Sequence, residues 1–218
     1  MNSPVSDTER QRERIEVYNT ILLAIATMAV AWSSYQGSLW NGIQTFRLAE
    51  SNKYGRLAQQ KLIQSEQNKA MEEAVIIEFF NAAFDKNERK IKYILRGLRP
   101  EMANVLSNWM QSHPFENDTA PSHPMIMPEY EALMKNRIDE SEKMNAKGAE
   151  MYQQAQKANI RADRYSFLTV LFSSVMFLGA ITTKLVRPKP RFVLSVLSAL
   201  ICLGGLILLF FYMPVAHK

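Results

Sequence analysis

Lys184-Leu-Val-Arg-Pro-Lys-Pro-Arg191 decides the architecture of this 218-residue chain. The stretch holds four cations (Lys184, Arg187, Lys189 and Arg191), two prolines and no acid. It separates two apolar runs, 165–183 and 192–213. As helices these would be about 29 and 33 Å long at 1.5 Å per residue, enough to cross a hydrocarbon core roughly 30 Å thick. A short basic loop between two spans is retained on the cytoplasmic side, so these four residues are the expected topology determinants.

Working outward toward the N-terminus, a third run, 18–40, has no charge and ends in Trp32, Tyr35 and Trp40. Aromatic rings at a span end sit at headgroup level, and these three are the expected interface anchors. Ala29-Val30-Ala31 also resembles the cleavage site of a signal peptide. The charge before the run is mixed, however: Arg10, Arg12 and Arg14 stand against Asp7, Glu9, Glu13 and Glu16. The apolar stretch also passes the cut, which favours an uncleaved anchor.

The expected division is a cytoplasmic segment 1–17, a span 18–40, an extramembrane region 41–164, a span 165–183, the cytoplasmic loop 184–191, a span 192–213 and a tail 214–218. Residues 41–164 then lie outside the cytoplasm, which in a bacterial inner membrane means the periplasm.

Mean hydropathy is near zero (−0.17) only because greasy segments average with a polar middle. Residues 41–164 hold 18 Lys/Arg against 17 Asp/Glu, so the net charge of +5 comes mainly from the 184–191 loop. The basic balance reports topology and gives no argument for nucleic acid. Cys202 stands alone inside the last apolar run, where it is expected to serve as a small hydrophobe.

The middle region reads as a helical hairpin. No proline interrupts 41–84, and Ala, Gln, Glu, Lys and Leu dominate there; 129–164 reads the same way. In the returning arm Ser141, Gly148, Ala155 and Ala162 recur every seven residues. Ile138, Asn145, Tyr152 and Asn159 fall between them, in the alternating step of a coiled-coil seam. The outgoing arm offers Ser38, Gly42, Thr45, Ala49 and Asn52 as the matching small stripe, with close backbone approach as its purpose. Further out, 74–84 is apolar nearly all round and needs cover, with Ile91, Ile94, Leu95, Leu98, Met102, Val105, Leu106 and Trp109 as candidates. The fold class expected is an all-α membrane protein: three transmembrane helices and a long extramembrane antiparallel, coiled-coil-like helical hairpin with a small helical head.

Candidate chemistry is sparse. Residues 85–99 carry Lys86, Arg89, Lys90, Lys92, Arg96 and Arg99 against Asp85 and Glu88. The functional reading is a face for an anionic partner; the plain one is an amphipathic helix with its basic side in water. His113, His123, Glu116 and Asp118 share a proline-broken loop, but at spacings that match no zinc pattern. There is no phosphate loop, nucleophile elbow or metalloprotease motif, and no ionisable residue interrupts a span away from its ends. No catalytic residue, cofactor or metal is expected.

The segment Ala31-Trp32-Ser-Ser-Tyr35-Gln36-Gly-Ser-Leu-Trp40-Asn-Gly42-Ile-Gln44 resembles a motif of uncharacterised bacterial inner-membrane proteins. In that family Ala-Trp-x-x-Tyr-Gln-x-x-x-Trp-x-Gly-x-Gln precedes a polar helical region and a C-terminal pair of spans. The resemblance implies location and architecture and carries no functional residue across. Read from the residues alone, the motif serves anchoring and packing, or else forms a headgroup-level binding site from Trp32, Tyr35, Gln36, Trp40 and Gln44.

The expected function is a non-enzymatic scaffold or accessory subunit acting through the extramembrane region. Membrane lipids and a homo-oligomer or membrane-protein partner are expected; nucleic acid and a small-molecule substrate are not. An oligomeric channel or transport component, or a membrane-anchored sensor, is the alternative.

Overall fold

The computed structural model describes residues 7–216, with side chains from Glu13 onward. The expected segments 1–17 and 214–218 therefore fall partly outside the described residues. Five α-helices account for most of the chain: α1 (Asp7–Phe84), α2 (Glu88–Gly97), α3 (Pro100–Gln111), α4 (Pro128–Lys184) and α5 (Pro188–Ile207). A 3₁₀ turn, Pro124–Ile126, precedes α4, and a π-helical turn, Leu208–Tyr212, follows α5. Parts of α1, α4 and α5 are long and apolar enough to span a membrane.

The breaks follow local chemistry. Nothing from Val5 to Arg99 is proline, so α1 runs on until Lys86 turns left-handed at φ 54°. There the Asn87 N–H reaches back to the Ala82 carbonyl and the Lys86 N–H to that of Ala83, a Schellman closure in which the left-handed residue is usually glycine. Asn87 then caps α2 by accepting from the Lys90 N–H. Leu98 and Arg99 are extended ahead of Pro100, as the ring of the following proline requires. Pro128 and Pro188 each occupy the first helical turn, where no N–H is needed.

The chain packs as two units, one made of 1–49 with 152–218 and the other of 50–151. The first contains the candidate spans. Its antiparallel α1–α4 contact buries Leu22, Ala26, Ala29 and Trp40 against Ala158, Ala162, Tyr165, Leu168, Phe172 and Val175. Glycine permits the closest approaches: a Cβ on Gly179 would lie 2.8 Å from Leu23 Cδ2, and one on Gly205 of α5 would lie 2.8 Å from the Phe172 ring. Asn19 Nδ2 donates to Thr182 Oγ1 across the buried contact at 2.9 Å.

The second unit pairs 50–84 of α1 with 128–151 of α4, and α2 and α3 close over the end. Ser141 Oγ donates to the Ala58 carbonyl at 2.9 Å, and Lys61 bridges to Glu140 at 2.8 Å. A Cβ on Gly148 would meet the Ser51 carbonyl oxygen at 3.3 Å. These contacts descend one for one along antiparallel helices. Most of the cover expected for 74–84 is found: Ile76 and Phe79 are buried with Met102, Val105, Leu106 and Trp109, and Ile91, Ile94 and Leu98 lie partly buried against them, whereas Leu95 falls on the exposed side of α2. Phe79, Phe80, Trp109 and Phe115 meet edge to face, with centroids 5.5–6.5 Å apart.

The seven-residue series Ser141, Gly148, Ala155 and Ala162 lies on the buried face of α4. Its interleaved partners there are Ala158, Tyr165 and Leu168; Ile138, Asn145 and Tyr152 are exposed, and Asn159 bonds within its own helix to Asp163. On α1, Ser38, Gly42, Thr45 and Ala49 are exposed, and a Cβ on Gly42 would meet nothing within 4 Å. The face that α1 turns to α4 is Ser33, Gln36, Gly37 and Trp40. Gly37 takes the close approach there, where an added Cβ would lie 3.5 Å from the Tyr165 Cβ.

Candidate functional site

Of the six cations marked out on 85–99, two are consumed inside the fold. Lys90 pairs with Glu78 of α1, which holds that carboxyl below its ordinary range by hydrogen bonding and by charge. Arg99 bridges to Glu72 at 2.5 Å. Lys86, Arg89, Lys92 and Arg96 make no ion pair among the described residues.

The helix explains which ones stay free. At 3.6 residues per turn Arg89, Lys92, Tyr93 and Arg96 fall on one side of α2, and Ile91 and Ile94 on the other, where they pack on Phe79 and Trp109. No α2 residue is fully buried, and Tyr93 is 81% exposed. Glu88 sits at the edge of the cationic side, in the first turn, where it favours the helix dipole. Beside this face a groove of about 490 Å³ opens between α1 and α2, lined by Val75, Glu78, Tyr93, Ile94, Arg96 and Gly97. The result is a guanidinium-rich surface with an aromatic ring at its centre, held rigid by its own apolar underside. It can bind anionic groups.

Glu72 organises the interior beneath. It is 3% exposed and takes four donors: Arg137 Nη2 at 2.9 Å and Nη1 at 3.1 Å, Arg99 Nη2 at 2.5 Å, and the Tyr130 hydroxyl at 3.0 Å. Burial, then the adjacent carboxylate charge, push the Tyr130 phenol well above its usual value, so it stays a donor. The hydrogen bond to Glu72 raises the Arg137 guanidinium further. Two guanidiniums on one carboxylate leave the cluster net positive. The sequence signal for it is that Glu72 falls four and seven residues before Ile76 and Phe79, on the stripe those residues bury.

A second polar constellation involves the tryptophan motif. Trp40 is buried, and its Nε1 donates to the Pro214 carbonyl at 3.1 Å; the Tyr165 hydroxyl donates to the same oxygen at 3.2 Å. Gln36, 1% exposed, accepts the Ala216 N–H at 2.8 Å. The Arg161 guanidinium lies over the Trp40 ring, 4.4 Å from its centroid. These residues clamp the extended segment after the π-helical turn. Trp32 and Tyr35 point outward, 44% and 53% exposed, with ring centroids 6.2 Å apart. Of the proposed headgroup-level set, then, Gln36 and Trp40 serve the clamp while Trp32 and Tyr35 remain on the surface.

Lys184, Arg187 and Lys189 are exposed, but Arg191 is buried and bonds Glu16 at 2.9 Å. The histidine loop is structural in part: His123 Nδ1 accepts from the Met125 N–H, and its ring lies edge-on to Phe80. Among the described residues no group of three His, Cys, Asp or Glu side chains is placed to hold a metal.

No family model, curated protein or solved structure matches the chain.

Proposed function

We propose that the chain is a non-enzymatic multi-pass protein of the bacterial inner membrane, a scaffold or accessory subunit whose extramembrane unit docks an acidic surface of a membrane-protein partner through α2. The observation that carries this reading is the division of the six cations. Two are tied to Glu72 and Glu78; of the other four, Arg89, Lys92 and Arg96 share a rigid, outward face around the exposed Tyr93, and Lys86 stands at the turn before α2. Charge complementarity of that kind steers association and fixes orientation. Residues 41–164 face the periplasm in this reading, supported by the exposed cations Lys184, Arg187 and Lys189 in the loop between the last two spans. The resemblance of the Trp32–Gln44 segment to bacterial inner-membrane proteins points to the same location.

Two measurements test it. Single cysteines at Ser122 and Val186, both exposed, are probed in intact cells with a membrane-impermeant thiol reagent on a Cys202→Ser background. Labelling at 122 with protection at 186 is expected, and the reverse pattern overturns the topology. A photo-crosslinking residue in place of Tyr93 is expected to give a discrete adduct that disappears with Arg89→Glu plus Arg96→Glu. An adduct indifferent to those charges overturns the docking face, and one of twice the chain mass identifies the partner as a second copy.

A further inference from the structure

We infer that the groove between α1 and α5 is a binding site for an anionic phospholipid, with an acyl chain in the trench and the phosphate on Arg14. The groove encloses about 680 Å³. Tyr18, Leu22 and Ile25 of α1 form one wall, and Phe192 to Leu206 of α5 the other; Arg14 is the one charged residue in its lining. It lies within the span-bearing unit, so it is independent of the α2 face.

Its dimensions suit an acyl chain. Arg14 to Ile25 and Phe192 to Leu206 measure about 17 and 21 Å along their helices, close to the half-thickness of a hydrocarbon core roughly 30 Å deep. The trench therefore runs through about one leaflet. Spread over that length, 680 Å³ gives a mean cross-section of about 35 Å². A hydrocarbon chain lies lengthwise in a trench of that section. The walls are mostly large apolar side chains, Tyr18, Ile25, Leu200 and Leu203 among them, with Ser195, Ala199 and Cys202 between them on α5.

The charge is at the correct end. Arg191 bonds Glu16, so the start of α5 is level with that residue, and Arg14 lies about 3 Å beyond it at 1.5 Å per residue, at the mouth of the apolar trench. Because Arg191 occupies Glu16, that carboxylate does not compete for Arg14. Glu13 neighbours Arg14 in sequence but does not line the groove. Arg14 itself is exposed and makes no ion pair among the described residues. A planar guanidinium matches phosphate oxygens two at a time. Ser195, whose buried hydroxyl has no hydrogen-bond partner among the described residues, lies on the α5 wall one turn below Arg191.

The test uses the full-length protein, delipidated, incubated with vesicles of phosphatidylglycerol or phosphatidylcholine, re-extracted and weighed by native mass spectrometry. Retention of the anionic lipid over the zwitterionic one by about tenfold is expected, because the phosphate of phosphatidylcholine is offset by its own ammonium group and that of phosphatidylglycerol is not. Arg14→Gln should bring the two lipids to near parity, and Ala199→Phe, which fills the trench, should remove both. Equal retention of both lipids by the wild type, insensitive to either change, means an unselective lipid annulus and overturns the site. An anionic preference that survives Arg14→Gln overturns the headgroup assignment. A dimer that Ala199→Phe splits, with no lipid adduct on the wild type, overturns the occupant in favour of a second copy.

Discussion

Replacing Glu72 should unfold the extramembrane unit well before the spans. The carboxylate is buried and takes four donor contacts from Arg99, Arg137 and Tyr130. Glu72→Met removes the acceptor and strands Arg137, whose side chain is only 16% exposed; Arg99, at 40%, can recover part of its hydration. Breaking a buried pair from one side costs about 3–5 kcal/mol, and the exposure of Arg99 places this case near ~3 kcal/mol. A cooperative unit near a hundred residues loses about 4–8 °C per kcal/mol, so its transition should fall by ~12 °C or more. The assay is hydrogen exchange on the full-length protein in detergent, read separately over 99–109, 128–137 and 160–180. Protection should fall by about two orders of magnitude in the first two segments and hold in the third. Glu72→Met combined with Arg137→Met should recover most of the loss, because the stranded charge is gone. If the single change leaves protection in 99–109 within threefold of wild type, or the double change is worse than the single, the cluster is not what holds the head together.

Three further outcomes follow from particular contacts. Tyr130 is raised in the folded state, so its contribution is complete below the unfolded phenol pKa near ~10 and is lost as pH climbs beyond it; the alkaline fall in head stability should be shallower in Tyr130→Phe, and identical slopes would refute the assignment. Lys86→Gly relieves a left-handed non-glycine residue at the end of α1 and should stabilise the head by about 1 kcal/mol in chemical denaturation; a loss there would mean that the lysine side chain makes a contact of its own. Trp40→Phe deletes one of two donors to the Pro214 carbonyl and weakens the Arg161 stacking, so a cysteine placed at Ala216 should become several-fold faster to label, and an unchanged rate would show that Gln36 and Tyr165 hold the segment alone.

What the sequence disclosed depended on whether a residue's role was carried by periodicity or by a distant partner. The spans, the proline breaks and the apolar cover over 74–84 follow from pattern, since each concerns the residue and its own helix. The outgoing face was legible too. Asn19, Leu22, Ala26, Ala29, Ser33, Gln36 and Trp40 step by alternating threes and fours, and all are buried. Ranking positions by small size favoured Ser38 and Gly42, off that face, and so selected exposed residues, Gly42 among them with open space around it. Polarity misled in the same direction. Gln36 and Glu72 sit on buried stripes because each has work that pattern does not encode, Gln36 receiving a backbone N–H 180 residues away and Glu72 two arginines and a tyrosine up to 65 residues away. Charge counting had the converse limit. Arg191, Lys90 and Arg99 count as free cations in the sequence, yet each is matched to a carboxylate of α1. The pairing leaves the loop with Lys184, Arg187 and Lys189, and the α2 region with Lys86, Arg89, Lys92 and Arg96. These seven, and not the ten that composition supplies, are the charges available to orient the chain and to meet a partner.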